Sequence, residues 1–244
     1  MPSSSFARTA GPIPGRTLVL FDIDGTLLDT QDAGVDAYVR AGRAVLGAEF
    51  RFEGVPLQGR LDHENYADAI ARHCPGTSHQ EHQSAFRLAY AGALEEIADE
   101  MGGFRPCPGV AGLVAALDAD DRFEVGLLTG NWEETGRFKI RRSGLDDRIY
   151  GCNAFADDGD HRDELVPVAR TRFLARHGRS PAKTVVVGDT PRDVACALAG
   201  GAIPLAVATG VFGRTDLMDA GAALAVSNLE DHDMLLEFLR PDPV

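Results

Sequence analysis

Phe21-Asp22-Ile23-Asp24-Gly25-Thr26-Leu27-Leu28-Asp29-Thr30 follows directly on the apolar run Thr17-Leu18-Val19-Leu20. A continuous apolar run that stops at an acidic turn suits a parallel strand buried on both faces, with its carboxyl end opening at a site. Asp22 stands at that end and Asp24 two residues on. Side chains two apart on an extended backbone point the same way, so both carboxylates address one small volume. Gly25 then allows a sharp exit. Carboxylates this close repel, which raises one pKa or recruits a cation, magnesium being the obvious one. The alternative is a plain Asp-rich turn closing a strand.

The 244 residues exceed a typical single domain and leave room for a core plus an inserted module. Apolar content of 44% and charged content of 25% are those of a globular protein in water. No apolar run approaches the ~18 residues that span a bilayer, so no membrane partner is expected. Met1 to Arg16 is rich in Ser, Pro and Gly without the apolar core of a secretory signal, and reads as a loose leader. Cytoplasmic localisation follows as the default. A net charge of -13 disfavours nucleic acid, whose binding needs a basic footprint, but allows a small phosphorylated metabolite met locally by a metal and a few cations. Cys74, Cys107, Cys152 and Cys196 are widely spaced and suit reduced thiols. Only Lys139 and Lys183 are lysines; every other cation is arginine.

Beyond Thr30 the periodicity becomes helical. Ala33 to Leu46 is a first helix, Asp62 is a plausible N-cap for a second reaching about His73, and a third runs from about His79 to Glu100. Phe86, Tyr90, Leu94 and Ile97 form a stripe on that third helix, expected to pack on the first. Gly102 to Gly109 is a breaker-rich return linker. Strands and helices then alternate: helix from Val110, strand Phe123 to Leu128, helices Glu133 to Ser143 and Glu164 to His177, and strand Thr184 to Val187. A helix from Pro191, short strands at Ile203 to Ala208 and Ala223 to Val226, and a closing helix Leu229 to Leu239 complete the chain. The pattern predicts an α/β fold, a doubly wound parallel sheet whose ligands lie outside the carboxyl ends of its strands, with an inserted all-helical module. The core is assigned to 1–29 and 106–244, the insert to 30–105.

Three polar clusters fall at strand ends: Asp22/Asp24, Thr129-Gly130-Asn131 and Asp189/Asp193. The second can hold a phosphoryl oxygen by hydroxyl, amide and backbone donors, or can simply be a polar strand end. The third places two carboxylates four apart at a strand-to-helix turn, suited to a hard cation, although Asp193 alone would also serve as a first-turn helix carboxylate.

Together and in this order the clusters resemble the first, second and fourth motifs of the haloacid dehalogenase-like hydrolase superfamily, with the helical insert in the position of its cap. That resemblance covers nearly the whole chain after residue 16 and includes phosphoglycolate phosphatase-like members. It implies Asp22 as nucleophile, Asp24 as general acid/base and Thr129 as phosphoryl anchor, with Gly130 and Asn131 beside the substrate. Magnesium would be held by Asp22, the Asp24 carbonyl and Asp189, with Asp193 supporting. The presence of Asp24 removes the dehalogenase option, a cap without lysine removes the phosphonate-cleaving option, and Gly188 in place of glutamate argues against a hexose phosphate mutase. What the resemblance implies is hydrolysis of a phosphomonoester through an aspartyl-phosphate. A phosphotransferase or mutase with the same nucleophile, or a non-catalytic phosphate-binding regulator, is the alternative. Relatives with this cap usually carry the third-motif lysine in a Lys-Pro pair just before the helix that leads to the fourth motif, where this chain has His161-Arg162-Asp163-Glu164-Leu165-Val166-Pro167. Lys139 takes that cationic role in this reading, with Arg162 as rival and a solvated helix lysine as the plain alternative. In the cap turn Leu57 to Asp62, Gly59 would let the backbone approach the site and Arg60 would meet a second anion on the substrate, or else only bridge surface helices. His63 and Tyr66 stand next in line. A monomer or homodimer is expected.

Overall fold

The computed structural model describes residues 15–241. The leader expected over residues 1–16 therefore lies, up to residue 14, outside the described residues. β1 (Thr17–Phe21) is buried at every position, as its unbroken apolar run requires. A two-residue strand β2 (Leu28–Asp29) follows the acidic turn and leads to α1 (Ala33–Leu46), α2 (Asp62–His73) and α3 (His79–Met101). β3 (Arg105–Pro106) returns antiparallel to β2, so the chain leaves and re-enters the core through one short ladder.

Beyond it come α4 (Val110–Asp118), β4 (Phe123–Leu127), α5 (Glu133–Arg142), α6 (Leu165–His177), β5 (Lys183–Gly188) and α7 (Pro191–Ala199). β6 (Ile203–Val207), α8 (Arg214–Asp219), β7 (Leu224–Val226) and α9 (His232–Leu239) close the fold. The sheet runs β4-β1-β5-β6-β7, all parallel, so the fold is the expected α/β core carrying an all-helical cap. The chain winds outward from β1 in both directions, which makes its carboxyl end the switch point where ligands bind in such sheets. Register sharpens this: Phe21 pairs with Leu127 on one side and Val187 on the other. Asp22, Thr129 and Asp189 each lie one or two residues past that line.

The helical stripe behaves as read. Phe86, Tyr90, Leu94 and Ile97 are all buried, and the ring of Tyr38 on α1 packs tilted against two of them, 4.6 Å from Tyr90 and 5.3 Å from Phe86. The closing helix begins at His232 rather than Leu229, because the Asp231 carboxylate accepts from the Met234 N–H and sets the start there. Asp62 is likewise not the cap of α2. Leu61 occupies that position and its N–H donates to the Glu64 carboxylate at 3.0 Å, leaving the Asp62 side chain free to turn elsewhere.

Candidate active site

The strand ends converge on a cavity of about 400 Å³ between sheet and cap, lined by Asp22, Asp24, Thr129, Gly130, Asn131, Lys139, Arg162 and Asp189, and from the cap by Gly59, Arg60 and Asp62. Asp22 is buried at its floor, and Arg162 Nη2 lies 3.3 Å from its Oδ2. The same guanidinium pairs with Asp193, whose other oxygen accepts from the Thr190 N–H at 3.0 Å and hydroxyl at 2.6 Å. Asp189 accepts from the Thr26 hydroxyl at 2.9 Å.

Oxygens of Asp22, Asp189 and Asp193 lie within 4.8 Å of one another. Burial, reinforced by repulsion from Asp193 and Asp24 and opposed by Arg162, pushes the Asp22 carboxyl up to about 7. Burial followed by repulsion from Asp193 and Asp22 pushes Asp189 up to about 8. Of these three buried carboxylates Asp22 and Asp193 share one guanidinium, and the side-chain partner of Asp189 is a hydroxyl. An oxygen-only donor set short of positive charge fits a hard divalent cation.

Asp24 sits in the opposite electrostatic condition. Lys139 Nζ reaches its two oxygens at 2.9 and 2.7 Å and the Asn131 carbonyl at 2.6 Å. Asn131 Nδ2 and the Thr30 hydroxyl complete the shell at 2.8 and 2.9 Å. Burial would raise this carboxyl, but Lys139, Asn131 and Thr30 outweigh it and hold the group below its ordinary value. Asn131 also donates to the Thr129 hydroxyl at 2.8 Å, so the second motif is tied to the first through one amide.

The structure therefore brings Asp22, Asp24, Thr129, Gly130, Asn131, Lys139 and Asp189 to one cavity, with Asp193 behind them, its oxygens within 4.8 Å of those of Asp22 and Asp189. Both cations weighed for the third motif are there: Arg162 on the Asp22 side, Lys139 on the Asp24 side. Arg60 lines the cavity, but its guanidinium is held within the cap by Asp68 at 2.6 Å and Glu64 at 3.8 Å. Gly59 has φ +69°, and a Cβ there would meet Thr190 Oγ1 at 2.6 Å, so the cap turn does come down on the fourth motif. Gly130 is pressed as closely: a Cβ would fall 1.9 Å from the Arg60 carbonyl oxygen.

Sequence reasoning missed what Asp62 does. Its backbone N–H donates to the Gly130 carbonyl at 2.7 Å, and its carboxylate accepts from the Trp132 N–H at 2.9 Å and the Tyr38 hydroxyl at 3.0 Å. A cap residue thereby closes the amino end of α5, the helix that carries Lys139. Thr26, which donates to Asp189, and the cavity-lining Thr30 and Thr209-Gly210 pair after β6 were also missed; the last follows a strand end and is marked by that position alone.

A family model for haloacid dehalogenase-like hydrolases matches residues 17–201. The chain belongs to this family of hydrolases. It is 26% identical over 235 residues to the tyrosine-protein kinase PtkA of Mycobacterium tuberculosis, covering 95% of this chain and 75% of that one. It is 24% identical over 182 residues to the pyrophosphatase PpaX of Bacillus velezensis, covering 73% and 76%. Among solved structures, a hydrolase from Pseudomonas syringae superposes with a TM-score of 0.65 at 20% identity, over 92% of this chain and 99% of the other.

Proposed function

We propose that the chain is a magnesium-dependent phosphomonoesterase acting on a small phosphorylated metabolite through an aspartyl-phosphate on Asp22. The observation that carries this reading is the placement of Asp22 at the cavity floor, between Arg162 and the under-compensated Asp189/Asp193 pair, with Asp24 two residues away.

Asp22 in its ionised form attacks phosphorus, the bond to the leaving oxygen breaks, and Asp24 delivers a proton to the departing alkoxide. Asp24 then takes a proton from water, which attacks the phosphorus of the acyl phosphate, releases inorganic phosphate and restores Asp22. The residues that would hold magnesium are Asp22, Asp189 and Asp193 with the Asp24 carbonyl, and the ion would offset repulsion between nucleophile and phosphoryl oxygens. Thr129, Gly130 and Asn131 supply hydroxyl, backbone and amide donors to those oxygens. Arg162 adds positive charge beside Asp22.

Lys139 has a double assignment. While it holds both oxygens of Asp24, that group is ionised and has no proton to give. A phosphoryl group entering the cavity competes for Nζ, and as Lys139 turns to it Asp24 regains the proton affinity that general-acid work needs. Arg60 contributes the cap wall whose carbonyl rests on Gly130.

Release of inorganic phosphate from a small aryl phosphate tests the reading. Turnover that requires magnesium and vanishes in Asp22→Asn is expected; magnesium-independent turnover, or a variant as active as the parent, contradicts it. The likeness to a tyrosine-protein kinase over 95% of the chain favours one second reading, in which a hydroxyl acceptor replaces water in the second step. Hydroxyl-bearing acceptors added to the same assay distinguish the two: a phosphorylated acceptor formed at the expense of free phosphate supports transfer.

A further inference from the structure

The cap side of the cavity contains a polar side chain that the fold leaves unused. Asn65, on the first turns of α2, is buried to 4% exposure and lines the cavity, yet its Oδ1 has no hydrogen-bond partner among the described residues. No described residue engages its Nδ2 either. A buried amide in that condition destabilises the fold by about 1–3 kcal/mol, and such groups normally mark a missing partner. Tyr90, in the same wall, presents a hydroxyl that the described residues also leave unbound.

Charge on this side points the same way. Among the described residues lining the cavity, the cap's one cation, Arg60, is held by Asp68 and Glu64. Lys139 gives its three donors to Asp24 and Asn131, and Arg162 faces Asp22 and Asp193. The acidic residues Asp29, Asp32 and Asp62 also line the cavity, and its lining cations are the three already paired, Arg60, Lys139 and Arg162. A carboxylate or second phosphate on the leaving group would therefore meet negative charge, whereas a hydroxyl can both donate to and accept from an amide.

We infer that the cap selects an uncharged, polyhydroxylated leaving group, such as that of a sugar or polyol monophosphate, and that the Asn65 amide reads one of its hydroxyls. This rests on the phosphomonoesterase reading above. It also turns Arg60 from a receptor for a second anion into part of the wall that excludes one.

The test uses the full chain and three magnesium-supplemented substrates: a neutral sugar monophosphate, a bisphosphate of the same sugar, and a carboxylate-bearing phosphoester, with an aryl phosphate as reference. The sugar monophosphate should exceed both anionic esters in kcat/KM by at least tenfold. Asn65→Leu, nearly isosteric, should lower the ratio of kcat/KM for the sugar ester to that for the aryl ester at least tenfold while its melting temperature stays level or rises, because an unpartnered amide leaves the interior. A preference for either anionic ester overturns the inference, as does an Asn65→Leu protein with an unchanged ratio or a clearly lowered melting point. If not even the aryl ester is hydrolysed, the phosphatase reading fails separately. Binding of the same sugar monophosphate and bisphosphate, followed by the emission of Trp132, then decides selectivity: tighter binding of the bisphosphate overturns it.

Discussion

Lys139 Nζ stands 2.7 and 2.9 Å from the two carboxylate oxygens of Asp24, across 115 residues of sequence. The lysine of the site is thus bound to Asp24 and not to Asp22, and it holds down the pKa of the carboxyl proposed to move the proton. Replacing Lys139 with methionine removes the largest influence holding that carboxyl down. The alkaline limb of the kcat/KM profile, along which Asp24 loses the proton it must donate, should move to higher pH and kcat should fall about 100-fold, the range for losing one pre-organised electrostatic partner. An unshifted limb would break the link between Lys139 and Asp24.

Metal removal should be legible in stability. Asp22 and Asp189 have folded-state values of about 7 and 8, whereas an unfolded aspartate titrates near ~3.9. The unfolded chain therefore loses these protons first as pH rises. Without metal, the pair leaves stability unaffected below about pH 4 and lowers it progressively up to about pH 8. Melting in the presence of a chelator should accordingly fall from pH 5 to pH 8, less steeply in Asp22→Asn. Magnesium should raise the melting point more at pH 8 than at pH 5. A magnesium effect that is equal at both values, or absent, would count against a carboxylate metal site.

Asp62 and Trp132 form the joint between cap and core. Asp62→Ala leaves the Trp132 N–H without an acceptor, which should destabilise by about 1–3 kcal/mol, roughly 2–4 °C per kcal/mol in a chain of this size. Trp132 is the one tryptophan of the sequence and is buried, so its emission should shift to the red as the joint loosens. Burial, opposed by Lys139, raises Asp62 to about 6. Exposure to water would lower it again, so rising pH through about 6 favours the loosened state. That red shift should be present in the parent protein and missing in Asp62→Asn. Identical pH curves for the two would remove Asp62 from the joint.

Gly130 offers a purely steric test. A methyl group there would lie 1.9 Å from the Arg60 carbonyl, a backbone atom that cannot swing aside. Gly130→Ala should force the cap turn off the second motif and lower kcat/KM at least tenfold, roughly 1.4 kcal/mol or more in transition-state binding. An alanine variant with parental kinetics would mean that the cap stands further from the core during turnover.

Long apolar or strongly periodic segments could be read from the sequence because burial alone dictates them. β1 and the Val185-Val186-Val187 run of β5 are apolar on both faces, β4 is apolar but for Glu124, and Phe86, Tyr90, Leu94 and Ile97 repeat at helical spacing. The β2/β3 ladder could not, since two residues carry no period, and the six-residue α8 is hardly longer than one turn. Asp62 was misread because aspartate before a helix is normally its cap; only the tertiary position of Trp132 gives its carboxylate another partner. The cluster at the strand ends was legible because strand register brings residues 22, 129 and 189 level. Which cation faces which carboxylate was not, because Lys139 and Arg162 arrive from α5 and the segment before α6, whose packing no local pattern encodes.

The central claim is that Asp22 carries the phosphoryl group. Rapid quench during turnover with magnesium, followed by borohydride reduction and peptide mass analysis, tests it most directly, since an aspartyl-phosphate is converted to homoserine at the residue that held it. The account predicts homoserine at position 22 in the parent protein, enriched early in turnover and missing from Asp22→Asn. Phosphate release at full rate with no reduced residue at position 22, or with the modification at another carboxylate, would contradict it.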